Sequence, residues 1–506
     1  MVTTSWKRVG IRRASRSAAV ALLILFLPTL GAQQEELVRL YGEARSAEAA
    51  GDYPVATQRY ERIVVLRPDM AEAHANLGNL YYVQGRAERA EASFQKALRL
   101  KPGLAAPHLL LGVLYFNRGD FNQATPHLTT ALKLDPSSAM GELYLGYTYY
   151  ALSRYAESAE SLEKAAERDA RNPDAWYHLS MVYGQLSKRH FEVLQKEHGD
   201  ALETRLARSH FYESTGNWAE AREELSRALV HQGNNKRLQR RMEWLERRAA
   251  GQTPDPPAEG ASPEEGSTQY HYAPPSGSAI QTAIAAERDL IRGALKTAPP
   301  TRQSLYRLAE GYQAVSFLSS LWVLQTDPDS YRAHQLRAQS FEAAGRTDEA
   351  IAEYREVLGR KPDLRTIHFA IGNLYWRNER LEEARPELEA ELKLNPRDAQ
   401  AHYEIADILF SKSETAAAET HFEEAIRYSP SMPEAHLALE RIASAKGNYP
   451  KALGHLKRAA AISPQDPTPH YRMWLLYRRL GNTAEAQAAR QAFEARKKQN
   501  GGKILN

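Results

Sequence analysis

An all-α chain built from repeated helix pairs is what this 506-residue sequence predicts, and three observations carry that expectation. Prolines recur every 34 residues, at Pro68, Pro102 and Pro136 and again at Pro328, Pro362, Pro396, Pro430 and Pro464. Ten residues after each of the first three stands a glycine (Gly78, Gly112, Gly146), with a tyrosine three further on (Tyr81, Tyr115, Tyr149). Gly51, Gly85, Gly119, Gly345, Gly447 and Gly481 mark a second fixed position of the same period. A period of this length marks a stack of small supersecondary units, not several unrelated domains.

Each element follows from local chemistry. Proline lacks a donor and clashes with the preceding turn, so it closes one helix and opens the next. A small residue followed by an aromatic at i+3 lets a second helix approach closely at the first and pack on the second. The other glycines fall where the two helices of a pair are joined, a place that favours left-handed backbone. Ala56, Ala90, Ala124, Ala350, Ala384, Ala418, Ala452 and Ala486 follow that turn by five residues and permit close helix contact.

Ala73–Pro102 reads AHANLGNLYYVQGRAERAEASFQKALRLKP; Ala401–Pro430 reads AHYEIADILFSKSETAAAETHFEEAIRYSP, with Ala406 for Gly and Leu409 for Tyr. These segments resemble the tetratricopeptide repeat family closely. The resemblance implies a right-handed α-solenoid in two arrays, acting as a protein-interaction scaffold without catalysis. Repeats are expected near 37, 71, 105, 139, 173 and 202, then near 297, 331, 365, 399, 433 and 467. The copies near 173 and 297 depart from the pattern in their second helices, at His190-Phe191-Glu192-Val193 and Ser316–Leu324.

The organisation predicted is a signal peptide over 1–32, an N-terminal array over 33–249, a linker over 250–278 and a C-terminal array over 279–506. The last array ends in a capping helix (Thr483–Arg496) and a frayed tail (Lys497–Asn506). The linker carries six prolines and four acidic residues but no Lys or Arg, the composition of a mobile spacer. Tyr270-His271-Tyr272 is its one aromatic cluster and a candidate partner-binding segment. Pro136 and Pro328 are not separated by a multiple of the repeat, so the arrays are out of phase and read as separate modules.

Composition narrows the chemistry. With 43% apolar and 25% charged residues the chain can bury a core. Zero cysteines exclude disulfides, thiolate zinc sites, iron–sulfur clusters, a thiol nucleophile and a lipobox anchor. Lys7, Arg8, Arg12, Arg13 and Arg16 precede the apolar run Ala18–Leu27 and small residues ending at Gly31-Ala32. That order reads as a secretory signal, Sec-type despite Arg12-Arg13, cleaved near Gly31–Ala32. The alternative is retention as an N-terminal anchor. The expected address is the periplasm or cell envelope. Removal of 1–32 turns a net charge of +4 into 61 basic against 62 acidic residues, so nothing in the bulk charge favours nucleic acid.

His74, His108, His334, His368, His402, His436 and His470 share one repeat position. Neighbouring helices pack 8–10 Å apart whereas Zn–N bonds are about 2.0–2.1 Å, so equivalent histidines of adjacent repeats cannot share an ion. They read as packing residues, and no metal or cofactor is expected. Phosphate-loop, dinucleotide, HExxH, GxSxG and calcium-loop signatures are absent from the sequence.

Function is expected on one face of the first helices. At 100° per residue, repeat positions two, six, nine and thirteen lie opposite the face that packs within the pair. The resemblance makes that face the concave groove holding a partner protein or peptide. In the N-terminal array it gives Asn76, Asn79, Val113, Asn117, Tyr144 and Tyr147, flanked by Tyr82, Phe116, Tyr150 and Tyr177. In the C-terminal array it gives Asn373, Arg377, Asp407, Arg441, Arg472 and Arg479, beside Trp376 and Phe410. The first set, aromatic and apolar with a few amides, suits an extended or helical peptide, the arginine-rich end of the second an acidic segment or carboxylate. The basic clamp that some family members use for acidic tails is missing from the first array, where Ala75, Leu109 and Leu143 stand instead. Two alternatives remain: a structural subunit of an envelope export or polysaccharide-assembly complex, or an enzyme-associated accessory module.

Overall fold

The computed structural model describes residues 34–214, 217–230, 235–250, 275–297 and 299–499. The expected signal peptide and most of the expected linker, with its aromatic cluster, lie outside them. The described residues contain 24 helices and no strand. None of the helices is long and apolar enough to cross a membrane.

The helices group into two compact units that divide at Thr326–Asp327. The first opens with α1 (34–49) and α2 (Tyr53–Leu66). Three regular pairs follow: α3 (Ala71–Val83) with α4 (Ala87–Leu100), α5 (Ala105–Arg118) with α6 (Phe121–Leu134), and α7 (Ala139–Ala151) with α8 (Tyr155–Arg168). The second unit is regular throughout: α15 (Tyr331–Ala343) with α16 (Thr347–Arg360), α17 (Ile367–Arg377) with α18 (Leu381–Leu394), α19 (Ala399–Ser411) with α20 (Thr415–Tyr428), α21 (Pro433–Ala445) with α22 (Tyr449–Ile462), and α23 (Thr468–Arg479) with α24 (Thr483–Gln499). The capping helix thus takes in Lys497–Gln499, part of the expected tail.

Local rules account for the pairs. The joining glycines hold positive φ, +71° at Gly85 and +82° at Gly119. Gly85 N–H donates to Tyr82 O, and Arg86 N–H to Tyr81 O, the double closure that satisfies the last carbonyls of a helix. Ser153, Glu379 and Ser413 take the left-handed place where glycine is missing. The small position works by contact: a Cβ on Gly112 would meet Leu128 Cγ at 2.5 Å, and one on Gly78 would meet Phe94 at 2.6 Å. Side chains from the second helix therefore lie directly on first-helix backbone.

The pattern breaks where the sequence departs from it. No left-handed residue interrupts the segment after Gly184, so one helix, α9 (Pro173–Glu197), runs through the expected turn. The copy expected near 297 is likewise a single helix, α14 (Arg302–Thr326), which ends just before Pro328. These two 25-residue helices pack on each other. Trp176 meets Trp322, Tyr183 stacks on Tyr312, and Ser187 Oγ donates to Ala309 O, so the pair is antiparallel along its length. α14 is thus the second helix of the repeat that α9 begins.

Between them comes an excursion: α10 (Leu202–Ser214), α11 (Trp218–Leu229), α12 (Lys236–Ala249) and α13 (Ser278–Leu295). α10 and α11 pair as expected near 202, α12 packs on α11, and α13 lies on α14. Gly311 sits mid-helix in α14, where a Cβ would meet Ile291 of α13 at 2.9 Å; it permits contact and makes no turn. Buried polar bonds fasten the excursion, His210 Nδ1 to Glu310 Oε2 at 2.5 Å and Arg241 Nε to Glu213 Oε1 at 3.0 Å. Because α14 packs on α9 and α13 packs on α14, both belong to the first unit, which extends to Thr326.

Candidate functional site

Successive first helices of the first unit touch, α3 with α5, α5 with α7 and α7 with α9, which brings several of the residues expected to line a groove together. The centre of that face is a run of rings. Phe116 lies 5.6 Å from Tyr144 and 5.9 Å from Tyr147, Tyr144 lies 5.6 Å from Tyr147, and Tyr147 lies 4.1 Å from His178. All four residues are half-buried. Burial pushes the Tyr144 hydroxyl up from its ordinary value, with Tyr82 and Asp174 adding to the effect. It raises Tyr82 as well. These phenols stay neutral donors at physiological pH.

The remaining expected residues sort differently. Asn79 and Asn117 are exposed. Val113 is fully buried and Tyr177 is 2% exposed, so both are packing residues and not groove lining. A helical wheel does not carry the tertiary packing that buries them. Asn76 donates to the hydroxyls of Tyr41 and Tyr60 at 3.2 and 3.1 Å and serves as an internal tie. Tyr150 leaves the run of rings and packs 5.6 Å from Tyr155.

In the second unit several of the expected groove residues are bonded to residues of a neighbouring repeat. Asn373 Nδ2 donates to Glu404 at 2.7 Å, and Trp376 Nε1 to Asp407 at 3.0 Å, each linking α17 to α19. Glu404 is fully buried and its second oxygen has no partner; burial pushes its carboxyl up to about 7. Arg472 pairs with Glu440 at 2.9 Å and Arg377 faces Glu342 at 3.6 Å. Arg441 and Arg479 are exposed. Their guanidinium groups lie over aromatic rings, Arg441 at 4.8 Å from the Phe410 centroid and Arg479 at 5.1 Å from Tyr449. A stacked guanidinium keeps its edge donors for an incoming carboxylate.

The histidine position is a joint within each pair. His74, His108 and His402 place Nε2 at 3.1–3.2 Å from the carbonyl of the proline six residues earlier. Nδ1 faces the second helix nineteen residues on: His127 at 3.0 Å from His108, Glu353 at 2.7 Å from His334, and Glu387 at 2.7 Å from His368. His421 stands 3.0 Å from His402 and His455 3.1 Å from His436. The partners escaped the sequence reading, which followed one position at a time; a spacing of i and i+19 is the signal that finds them. An open cleft of about 340 Å³ borders His108 and His127. Among the described residues no group of three or more His, Cys, Asp or Glu is placed to hold a metal ion.

Comparison with known proteins gives the following. The family model described as Tetratricopeptide repeat matches residues 41–105, 109–175, 143–202, 321–364, 369–420 and 411–467. No curated protein matches in sequence. Solved structures that resemble it include MamA, at 20% identity over 33% of this chain and 97% of that one, TM-score 0.31. PilF of Pseudomonas aeruginosa matches at 19% identity over 42% of this chain and 90% of that one, TM-score 0.32. YrrB, a TPR protein with an unusual peptide-binding site, matches at 18% identity over 43% of this chain and 97% of that one, TM-score 0.28. At such values no property of those proteins passes to this chain.

Proposed function

This chain belongs to the tetratricopeptide repeat family, and we propose that it is a protein-interaction scaffold whose first-helix faces take two kinds of peptide. The observation that carries the reading is the run Phe116–Tyr144–Tyr147–His178, four half-buried rings in contact across three consecutive repeats. Rings held by one another lose little freedom on binding and offer large apolar contact area, the character of interface hot spots. The first unit therefore takes an apolar or aromatic segment. Arg441 and Arg479 direct the second unit toward carboxylate-bearing segments. No catalytic role is assigned.

Selection from a displayed random-peptide library tests this. The wild-type chain enriches aromatic and acidic peptides; Phe116→Ala with Tyr147→Ala loses the former and Arg441→Ala with Arg479→Ala the latter. Enrichment of the same peptides by all three chains removes both faces from consideration. We also place the protein outside the cytoplasm, on the basic, apolar and small-residue order of residues 1–32. Fractionation that recovers the intact chain in the cytoplasm overturns that placement.

A further inference from the structure

The second unit contains two kinds of histidine joint at one structural position. His368 faces a carboxylate, Glu387, whereas His402 and His436 face the imidazoles of His421 and His455. The His402 and His421 ring centroids are 5.2 Å apart with Nδ1 atoms at 3.0 Å, the remainder being two ring radii, so the nitrogens point at each other. Nε2 of His402 donates to Pro396 O, which leaves neutral His402 only a lone pair at Nδ1. His421 must then supply the Nδ1–H between them. Both nitrogens of the contact cannot carry protons at this distance, so full protonation sets two cations head to head.

We propose that His402–His421 and His436–His455 are acid-labile joints that loosen the C-terminal repeats as pH falls, whereas His368–Glu387, at the same position of an earlier repeat, sets no two imidazoles against each other. The surroundings do not cancel the effect. His421 faces Glu389 and Arg385 of α18 and Glu424 of its own helix; His402 faces Glu424 and, at 5.7 Å, the Tyr428 ring. His455 faces Lys451 of α22 and Glu423 and Glu419 of α20, and both acids already hold Lys451 at 2.9–3.0 Å. His436 faces Arg458. Burial, then the opposing imidazole, holds His421 and His455 below the ordinary 6.5; burial lowers His436 against a backbone bond to Pro430 that raises it, with Arg458 adding to the lowering. The unfolded chain then takes up protons that the folded joint refuses, so stability falls as pH drops through 6.5. In a solenoid each repeat is held by its neighbours alone, so the loosening stays local.

Glu404 of α19 titrates in the opposite sense, so the test uses the full chain carrying Glu404→Gln. Amide hydrogen exchange is followed at pH 7.5 and 5.5, corrected for intrinsic rates, with and without His421→Gln and His455→Gln. With the histidines present, protection of α19–α22 falls about tenfold or more at pH 5.5, since each protonation refused by the folded state is worth about tenfold there. With glutamine the fall is below about threefold. Equal falls in both chains overturn the proposal. Should the glutamine variants not fold, His421→Glu and His455→Glu copy the His368–Glu387 joint and are expected to gain protection at pH 5.5; a tenfold fall in them overturns it equally.

Discussion

The two units use one repeat in different ways. In the second, every first helix finds its partner immediately after a tight turn, from α15–α16 to α23–α24. In the first, α9 finds its partner only after the excursion over 198–301. The difference teaches that this architecture tolerates a long insertion between the two helices of a pair, provided the surfaces that meet are retained. Closing a longer loop costs little more entropy than closing a moderate one. The α9–α14 interface supplies what the turn does not: 25-residue helices, stacked tyrosines and serine-to-carbonyl bonds at Ser187–Ala309 and Ser316–Ser180.

The largest effect should come from cutting into that interface. Leu194 is fully buried against Leu305, Tyr306 and Ala207, and Leu194→Ala is expected to cost about 2–5 kcal/mol. Hydrogen exchange should show α9, α10 and α14 losing protection together. In the second unit, Leu388→Ala, of similar cost, should loosen α17, α18 and their immediate neighbours. Loss confined to α9 alone would dissolve the contrast between the units.

Gly112→Val comes next. Its side chain would start within 2.5 Å of Leu128, and overpacking is expected to destabilise the first unit by about 1–3 kcal/mol in a denaturant melt. A third effect separates the units by pH. Glu404 has its carboxyl raised to about 7 by burial, so it favours the folded state below its ordinary value near 4.5, and that benefit is lost as pH rises toward 7. Glu404→Gln should therefore stabilise the second unit by about 1–3 kcal/mol at pH 8 and do little at pH 4. Equal melting shifts at both pH values would contradict this. The smallest effect belongs to the turns: Ser413→Gly removes a non-glycine residue from φ +63° and should add about 0.5–1 kcal/mol to the second unit.

Legibility in the sequence followed the same divide. Where partners are adjacent in the chain, prolines, turn glycines and alanines marked where the repeats begin and turn, because each rule acts over a few residues. The α9–α14 pairing left no such mark, since neither helix names its partner. The candidate site shows a parallel split. Phe116, Tyr144 and Tyr147 came out together from helical periodicity and the family resemblance, Phe116 as a flanking residue. Val113, on the expected face, and Tyr177, beside it, are nonetheless buried, and burial depends on tertiary packing that a helical wheel omits. The internal bonds of Asn76, Asn373 and Arg472 were hidden for the same reason, their partners lying one repeat away.

The most direct test of the discontinuous repeat uses the absence of cysteine. Lys188 on α9 and Arg307 on α14 are both exposed, and Lys188→Cys with Arg307→Cys gives two unique sites for spin labels. Paired helices with axes about 8–10 Å apart predict a single narrow label–label distribution below about 25 Å. A broad distribution centred well beyond that range, as for two segments joined only by a flexible linker, would contradict the pairing.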